Sequence, residues 1–219
     1  NPVRGVILSG GPASVYDKDA PPLPPEILSL RSKNGKQVPI LGICYGMQWI
    51  VKQLGGEVKQ VAENREYSRV EIYADPNHPL FQDTPRQQIV WASHGDSVTR
   101  IPEEFHVAGR SADSGAVAAV VCRGGLLWGV QFHPEVSQTE HGKTILQNFV
   151  FIVCQAERDW LPEDVVSNVR KNTLLTLKDG KAVMGFSGGV DSTTVATILA
   201  PTLKENLTGI VIDGGNLRK

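Results

Sequence analysis

The chain has 219 residues, of which 41% are hydrophobic and 21% charged, and its formal net charge is −1. This composition is typical of a soluble globular protein with one large or two modest domains. The charge gives no indication of a nucleic-acid or membrane-surface partner, and no apolar run approaches the roughly 18 residues of a membrane helix. Three widely spaced cysteines without metal-ligand spacing indicate a reducing cytoplasm rather than a disulfide framework.

The first predicted element is a buried strand over residues 3–8 that ends in the turn Ser9-Gly10-Gly11-Pro12. A buried parallel strand of this kind normally follows an earlier βα unit, so we expect a further strand before it. A proline-rich loop then leads to a predicted helix over residues 26–32, with Pro25 well placed to start it.

The most informative stretch is VPILGICYGMQ, residues 38–48, in which an apolar run is followed by Cys44 between two glycines. A helical pattern over residues 47–54 follows, which makes this the strand–turn–helix of a nucleophile elbow. Glycines flank such a residue because it lies on a strained turn, and a helix N-terminus should favour the Cys44 thiolate. The alternative is a buried structural cysteine in a tight βα turn.

A series of strands and one helix follow the elbow. The strands are predicted over residues 57–61, 69–73, 88–92, 107–111, 116–122 and 126–132, and the helix over residues 142–154. The last strand runs directly into His133-Pro134-Glu135. Because the carboxyl ends of parallel strands meet in one crevice, we expect Cys44, His133 and Glu135 to lie together.

This combination of residues indicates nucleophilic catalysis. Such catalysis requires a thiol, a base that returns the proton to a leaving amine, and a carboxylate that orients the base. The backbone N–H groups of residues 9–12 could join that of Tyr45 in holding an oxyanion. The polar cluster Ser93-His94-Gly95-Asp96 could present donors and a carboxylate to a polar substrate. A surface histidine before a turn proline is the alternative for His133.

The last part of the chain predicts an amphipathic connecting helix over residues 162–177 and then one βαβ unit. Its strands are expected over residues 181–186 and 208–213, with the helix over residues 193–203. A unit this small cannot bury a core of its own, so we expect it to be the beginning of a second domain. The loop SGGVDST at its first turn could hold an anion at the helix N-terminus, although it is not a Walker A loop. A plain Gly-Gly turn is the alternative.

Residues 3–155 resemble the class I (triad) glutamine amidotransferases through SGGP at 9–12, GICYGMQ at 42–48, SHGD at 93–96 and QFHPE at 131–135. The resemblance implies an α/β, flavodoxin-like mixed sheet with helices on both faces. It implies that Cys44 attacks the side-chain amide of glutamine, with His133 moving the protons and Glu135 orienting His133. The further implied roles are oxyanion stabilisation by Gly11 and Tyr45, and glutamine binding by Gln48, Ser93, His94 and Asp96.

Residues 181–219 resemble the opening of an adenine-nucleotide α-hydrolase-like (ATP pyrophosphatase) domain, whose members adenylate a carbonyl oxygen and release pyrophosphate. The implied ATP-binding residues are Ser187, Gly188, Gly189, Val190, Asp191, Ser192 and Thr193. The predicted division is an amidotransferase domain over residues 1–155, a connecting helix over 156–180 and a truncated ATP pyrophosphatase domain over 181–219. Residues 212–218 depart from the family pattern, which puts adenosine contacts near Asp213 in doubt.

A fusion of these two modules resembles the synthases that activate the C2 oxygen of xanthosine monophosphate with ATP and Mg²⁺ and then displace AMP with ammonia. The implied partners are glutamine, ATP and xanthosine monophosphate, with a homodimer in the full-length protein, no tightly bound cofactor in this part of it and no metal ligands. Two alternatives remain open: a glutaminase subunit of another synthetase, and a non-catalytic nucleotide-binding partner with a relic glutaminase site.

Overall fold

The computed structural model describes residues 3–122, 124–158 and 162–211. The chain divides into two compact units, Asn1–Ala156 and Glu157–Lys219. Each unit is built from its own strands and helices. Among the described residues, no helix is both long and apolar enough to cross a membrane.

The strands of the first unit are β1 (Val6–Leu8), β2 (Ile40–Ile43), β3 (Glu57–Gln60), β4 (Arg69–Ala74), β5 (Gln87–Trp91), β6 (Asp96–Arg100), β7 (Phe105–Ser111), β8 (Val117–Cys122) and β9 (Leu127–Val130). Seven of them form a mixed sheet with the order β1-β2-β9-β8-β7-β4-β5. In this sheet β1, β2 and β9 are parallel and the others antiparallel, while β3 and β6 form a separate antiparallel pair. The mixed α/β sheet predicted from the sequence is confirmed.

Helices cover both faces of this sheet because alternate residues of a strand point to opposite sides. The helices are α1 (Tyr45–Gln53) and α2 (Gly142–Gln147), and α2 continues as a π-helix over Asn148–Val153. Ile40 of β2 packs in one core cluster with Ile50 of α1, whereas the next residue, Leu41, packs in a second cluster with Ile145 of α2. Strand β2 is consequently buried on both faces, as its continuous apolar sequence predicts.

Two predicted helices differ from the observed ones. Residues 26–32 were expected to be helical, but only a 3₁₀ turn forms over Pro25–Ser29, because the Leu30 carbonyl instead accepts a hydrogen bond from the Val38 N–H at 2.8 Å. The helix expected over residues 142–154 widens into the π-helix at Asn148, whose side chain donates to the backbone carbonyls of Leu80 and Gln82 at 3.1 and 2.6 Å. Both differences arise from contacts that a local pattern does not contain.

Strand β6 was not predicted at all. It begins within the polar Ser93–Asp96 cluster and pairs with β3 across a register shift between Glu57 and Val58. The other strands of the first unit lie within a few residues of their predicted positions, although β1 starts only at Val6. A short strand that starts on polar residues gives little apolar signal.

The described residues of the second unit form helix α3 (Pro162–Leu177) and a βαβ unit. Strands β10 (Ala182–Gly185) and β11 (Leu207–Ile210) are parallel and are joined by helix α4 (Val190–Leu203). This is the predicted order of elements. Its assignment as the opening of an ATP pyrophosphatase domain stays a prediction, and the family departure near Asp213 lies outside the described residues.

Candidate active site

Cys44 lies on the sharp turn between β2 and α1, with φ 50° and ψ −106°. A non-glycine residue in the left-handed region is uncommon and is typical of a nucleophile elbow. A side chain on Gly42 would place Cβ 2.5 Å from the Met47 nitrogen, and one on Gly46 would collide with the Leu8 backbone carbonyl. The two flanking glycines are therefore required by close backbone packing.

His133 follows β9 and is fixed through its backbone. Its N–H donates to the Trp91 carbonyl at 2.9 Å, and its carbonyl accepts from the Thr139 hydroxyl at 2.5 Å. The ring Nδ1 lies 2.6 Å from Oε1 of Glu135. Because a carboxylate only accepts hydrogen bonds, Nδ1 carries the proton of a neutral ring, and Nε2 remains free to act as a base.

Gly10 lies between the imidazole and the cysteine. A methyl group on Gly10 would be 2.8 Å from Cε1 of His133 and 3.5 Å from Cβ of Cys44. The ends of the three neighbouring parallel strands β1, β2 and β9 therefore bring Gly10, Cys44 and His133 to one place, with Glu135 hydrogen-bonded behind the ring. The structure thus juxtaposes the three residues that the sequence singled out for catalysis.

The resting nucleophile is a thiol rather than a thiolate. Burial raises the pKa of Cys44 to about 11, and the charges of Glu135 and Asp96 act in the same direction. The backbone N–H of Tyr45 at the helix start lowers this pKa, as does the Gln131 side chain, but burial outweighs both. The helix N-terminus thus favours the Cys44 thiolate, as expected, but burial has the larger effect on the pKa, and Cys44 needs a base.

Gly11 and Tyr45, the predicted oxyanion-hole residues, lie side by side next to Cys44. A methyl group on Gly11 would be 3.8 Å from Cγ of Tyr45, and Gly11 and Cys44 border the same cavity. The Tyr45 hydroxyl donates to the Pro21 carbonyl at 3.3 Å, which anchors the ring. Their role as oxyanion donors stays a prediction.

A cavity of about 440 Å³ opens beside Cys44. All the residues predicted to bind glutamine line it: Gln48, Ser93, His94 and Asp96. The carboxylates of Asp17 and Asp96 lie in its wall, and the described residues that line it include no lysine or arginine. Across the described parts of the chain, no group of three or more His, Cys, Asp or Glu side chains could hold a metal ion.

Ser14 is a cavity residue that the sequence analysis missed. Its hydroxyl donates to Oδ2 of Asp96 at 2.5 Å, and its backbone N–H donates to Oδ2 of Asp17 at 2.8 Å. Ser14 therefore ties together the two carboxylates of the wall. The S-x-x-D spacing in the loop after Gly11 is the local signal that could have indicated it.

Gln131 is a second residue that the sequence analysis left without a role. Its amide nitrogen donates to Sγ of Cys44 at 3.7 Å, and its amide oxygen accepts from Nε2 of Gln48 at 3.2 Å. Nε2 of Gln48 also donates to the Asp96 carbonyl at 3.0 Å. Gln48, expected to contact glutamine, thus has its amide nitrogen bound within a buried network that leads to the nucleophile.

The ring nitrogens of His94, which the sequence predicted to contact glutamine, are both bound to protein. Nδ1 lies 3.0 Å from the Asp96 carbonyl and Nε2 lies 3.2 Å from Oε2 of Glu66. The residue borders the cavity but offers no unpartnered ring nitrogen to a ligand. Glu66, on a neighbouring stretch of chain, was not singled out by the sequence because nothing local links it to His94.

In the second unit, the predicted ATP-binding loop joins β10 to α4. Gly188 has φ 75°, a conformation that favours glycine, and the Thr193 N–H donates to the Gly189 carbonyl at 3.1 Å as α4 begins. The hydroxyls of Ser187 and Ser192 lie 3.1 Å apart. The loop is an exposed turn at the start of a 14-residue helix, and its binding of ATP stays a prediction.

Comparison with known proteins identifies the class to which this fold and site belong. The family model for class-I glutamine amidotransferases matches residues 1–153. The chain belongs to the class I glutamine amidotransferases, as the four motifs predicted.

Similar curated relatives carry a more specific name. Proteins named GMP synthase [glutamine-hydrolyzing] are 44% identical over 217 residues in Lactobacillus johnsonii and 44% identical over 216 residues in Enterococcus faecalis. Each alignment covers 99% of this chain and 40% of the relative. The chain therefore spans about two-fifths of the length of these relatives, and the match continues through the second unit.

A solved structure is similar in fold. A crystal structure of a Thermoplasma acidophilum protein, provisionally assigned as part of a GMP synthase, superposes with a TM-score of 0.55 at 26% identity. The superposition covers 69% of this chain and 73% of that protein. It shows that the two proteins share a fold over this part of their chains.

Proposed function

We propose that the first unit hydrolyses glutamine to glutamate and ammonia and supplies the ammonia to a synthase of the GMP synthase type. The observation that carries the proposal is the convergence of Cys44 and His133 on Gly10, with Glu135 bound to the ring at 2.6 Å. Membership of the amidotransferase family and the GMP synthase names of the relatives support it.

The proposed chemistry starts with proton transfer from the Cys44 thiol to Nε2 of His133. The sulfur adds to the amide carbon, and the backbone N–H groups of Gly11 and Tyr45 stabilise the oxyanion that forms. His133 then gives its proton to the departing nitrogen, which leaves as ammonia and a γ-glutamyl thioester remains on Cys44. The same ring next accepts a proton from water as the hydroxide adds to the thioester, and the thiol is restored with release of glutamate.

The raised pKa of Cys44 fits a nucleophile that is activated only when needed. A thiol with a pKa of about 11 is almost fully protonated near neutral pH, so the base and the oxyanion donors must act together with the bound substrate. Glu135 contributes by holding the proton of Nδ1, which keeps Nε2 as the basic nitrogen.

The cavity wall explains how free glutamine would be chosen over a glutamine residue in a protein. The carboxylates of Asp17 and Asp96 favour a positively charged group, which in glutamine is the α-ammonium. That charge is absent once the amino group is part of a peptide bond. Ser93, Gln48 and His94 line the remainder of the cavity, where the rest of the substrate would lie.

At the level of the whole protein, the proposal is amination of xanthosine monophosphate to GMP, with ATP cleaved to AMP and pyrophosphate. The loop from Ser187 to Thr193 would hold ATP phosphates, with Mg²⁺ entering together with ATP as substrate. A cytoplasmic, homodimeric enzyme is proposed with it. The support for these finer statements is the loop pattern and the names of the relatives.

The test is Cys44→Ala, compared with Cys122→Ala, which changes a half-buried cysteine outside the cavity. We expect Cys44→Ala to lower the release of ammonia from glutamine by at least about 10⁴-fold, since it removes the nucleophile. In the full-length protein, free ammonia should still support amination of xanthosine monophosphate. Loss of the ammonia-dependent reaction as well would argue against separate sites, and an unchanged glutaminase rate would refute the proposal.

A further inference from the structure

The buried His94 is paired with the half-buried Glu66 at the edge of the cavity. Their backbones are joined by two hydrogen bonds, from Glu66 N–H to the His94 carbonyl at 3.1 Å and from His94 N–H to the Glu66 carbonyl at 2.9 Å. The side chains are 2% exposed for His94 and 14% for Glu66. Charged groups this buried require a structural reason.

The hydrogen-bond partners of His94 determine where its protons lie. Nδ1 faces the Asp96 backbone carbonyl at 3.0 Å, and a carbonyl only accepts, so Nδ1 carries a hydrogen. Nε2 faces the Glu66 carboxyl at 3.2 Å, whose other oxygen accepts from the Ser114 hydroxyl at 3.0 Å. If the Glu66 carboxyl is ionised, Nε2 must carry a hydrogen too.

The surroundings of Glu66 favour ionisation. Burial opposes it, but hydrogen bonds from His94 and from the hydroxyls of Ser111 and Ser114 outweigh burial and lower the pKa of the carboxyl. The Ser111 hydroxyl lowers the pKa of Glu66 through its proximity alone, since it makes no hydrogen bond of ordinary geometry. An ionised Glu66 leaves both nitrogens of His94 as donors.

We propose that His94 is a buried imidazolium paired with Glu66, and that the two are positioning residues for the loop that carries Ser93 and Asp96. This inference rests on the proposed glutaminase function. It assigns His94 to holding the loop rather than to contacting glutamine. It also gives Glu66, which does not line the cavity, a part in substrate binding.

The position of this loop is important because one end lies beside the nucleophile and the other lies in the wall of the cavity. The Ser93 carbonyl lies 3.9 Å from Sγ of Cys44, and the Asp96 carboxylate lies in the cavity wall. The Asp96 carbonyl accepts from Gln48 as well as from His94, so the pair and the nucleophile share one hydrogen-bond network. Releasing His94 would displace the loop at the substrate rather than alter the sulfur chemistry directly.

The first test measures protonation directly. In the protein labelled with ¹⁵N-histidine, the ring of His94, assigned by its absence in His94→Asn, should show two protonated nitrogens near neutral pH. In Glu66→Gln the ring should become neutral, with one unprotonated nitrogen, because the amide can donate to Nε2. A neutral His94 in the unsubstituted protein would overturn the proposal. This measurement does not depend on glutaminase activity, so it can refute the present inference without refuting the proposed function.

The second test separates binding from chemistry. For Glu66→Ala we expect the KM for glutamine to rise far more than kcat falls, with kcat/KM reduced on the order of 10²-fold. Glu66→Gln should recover most of the loss and Ser114→Ala should show a smaller effect in the same direction. Glu57→Gln is the control, because it alters an exposed ion pair on β3. Thermal unfolding identifies any variant that does not fold, and folded Glu66→Ala with unchanged KM would contradict the proposal.

Discussion

The N-terminal residue of helix α2, Gly142, packs directly on the backbone of Pro134, and any side chain at this position would collide with the Pro134 carbonyl oxygen. Pro134 joins His133 to Glu135, the two residues whose hydrogen bond orients the imidazole. The start of α2 therefore supports the turn that carries the base and its carboxylate. This support lies 98 residues along the chain from Cys44 and depends on the absence of a single methyl group.

Gly142→Ala should reduce glutamine hydrolysis without unfolding the protein. The added methyl group must push the Pro134 turn outward, and a displacement of about 1 Å at a catalytic group lowers the rate on the order of 10²-fold. The measurement is ammonia release from glutamine, with circular dichroism to show folding. Gly124→Ala is the control, since a Cβ there meets nothing within 4 Å. Equal rates for the two variants would show that the turn does not depend on this contact.

Gln131→Leu should raise the pKa of Cys44 further. It removes the amide that donates to Sγ, a hydrogen bond to a developing charge that contributes about 1.5–3 kcal/mol. We expect alkylation of Cys44 by iodoacetamide at fixed pH to slow by about tenfold, the effect of roughly one pKa unit. Mass spectrometry of the Cys44 peptide distinguishes it from the other two thiols.

The control for that prediction is Gln88→Leu. Gln88 is as buried as Gln131, but it bonds to Thr84 and Pro85 and its amide oxygen has no partner. Its replacement should leave the alkylation rate of Cys44 unchanged. If Gln131→Leu behaves in the same way, the 3.7 Å contact between the Gln131 amide and Sγ has no influence on the thiol.

The stability of the first unit should decline in alkaline solution. Burial raises the pKa of both Cys44 and Cys154 from 9.0 to about 11, so between these values the folded protein holds protons that the unfolded chain has released. The free energy of unfolding therefore falls as the pH rises from about 9 to about 11, by at most about 1.4 kcal/mol per pH unit for each thiol. Burial also raises the pKa of the Tyr45 phenol, so this residue adds to the loss of unfolding free energy above pH 10.

Urea unfolding at a series of pH values measures this slope. The double variant Cys44→Ala, Cys154→Ala should show a smaller decline than the unsubstituted protein, and each single variant an intermediate one. A slope that the two substitutions leave unchanged would mean that these thiols do not titrate above their ordinary range.

Gly188→Ala should impair the nucleotide half-reaction of the full-length protein. Gly188 has φ 75°, where an alanine costs about 1–2 kcal/mol, and the loop must change shape to relieve this cost. We expect ammonia-dependent amination to fall by about tenfold or more while glutamine hydrolysis persists. Gly185→Ala is the matched control, because its φ is ordinary and a Cβ there is unobstructed. Unimpaired amination in Gly188→Ala would count against the loop as an ATP site.

Features that depend on neighbouring residues could be predicted from the amino-acid sequence. The elbow around Cys44 could be predicted because tight strand–turn–helix geometry demands glycine at Gly42 and Gly46, and both are visible in the printed sequence. The meeting of β2 and β9 followed from the convergence of parallel strand ends, which brought His133 to Cys44. The βαβ unit of the second part was likewise evident from local apolar runs.

Contacts between groups that are far apart in the chain could not be predicted, because they depend on how the whole unit folds. The β5 edge of the sheet curls back so that the Trp91 carbonyl accepts the His133 N–H, although β5 and β9 are far apart in the strand order. The contacts of Glu66 with His94 and of Gln131 with Cys44 join residues 28 and 87 positions apart, so they also depend on the tertiary structure. The pKa of Cys44 could not be predicted for a related reason: the helix N-terminus is a local feature, whereas burial is set by every element packed around the thiol.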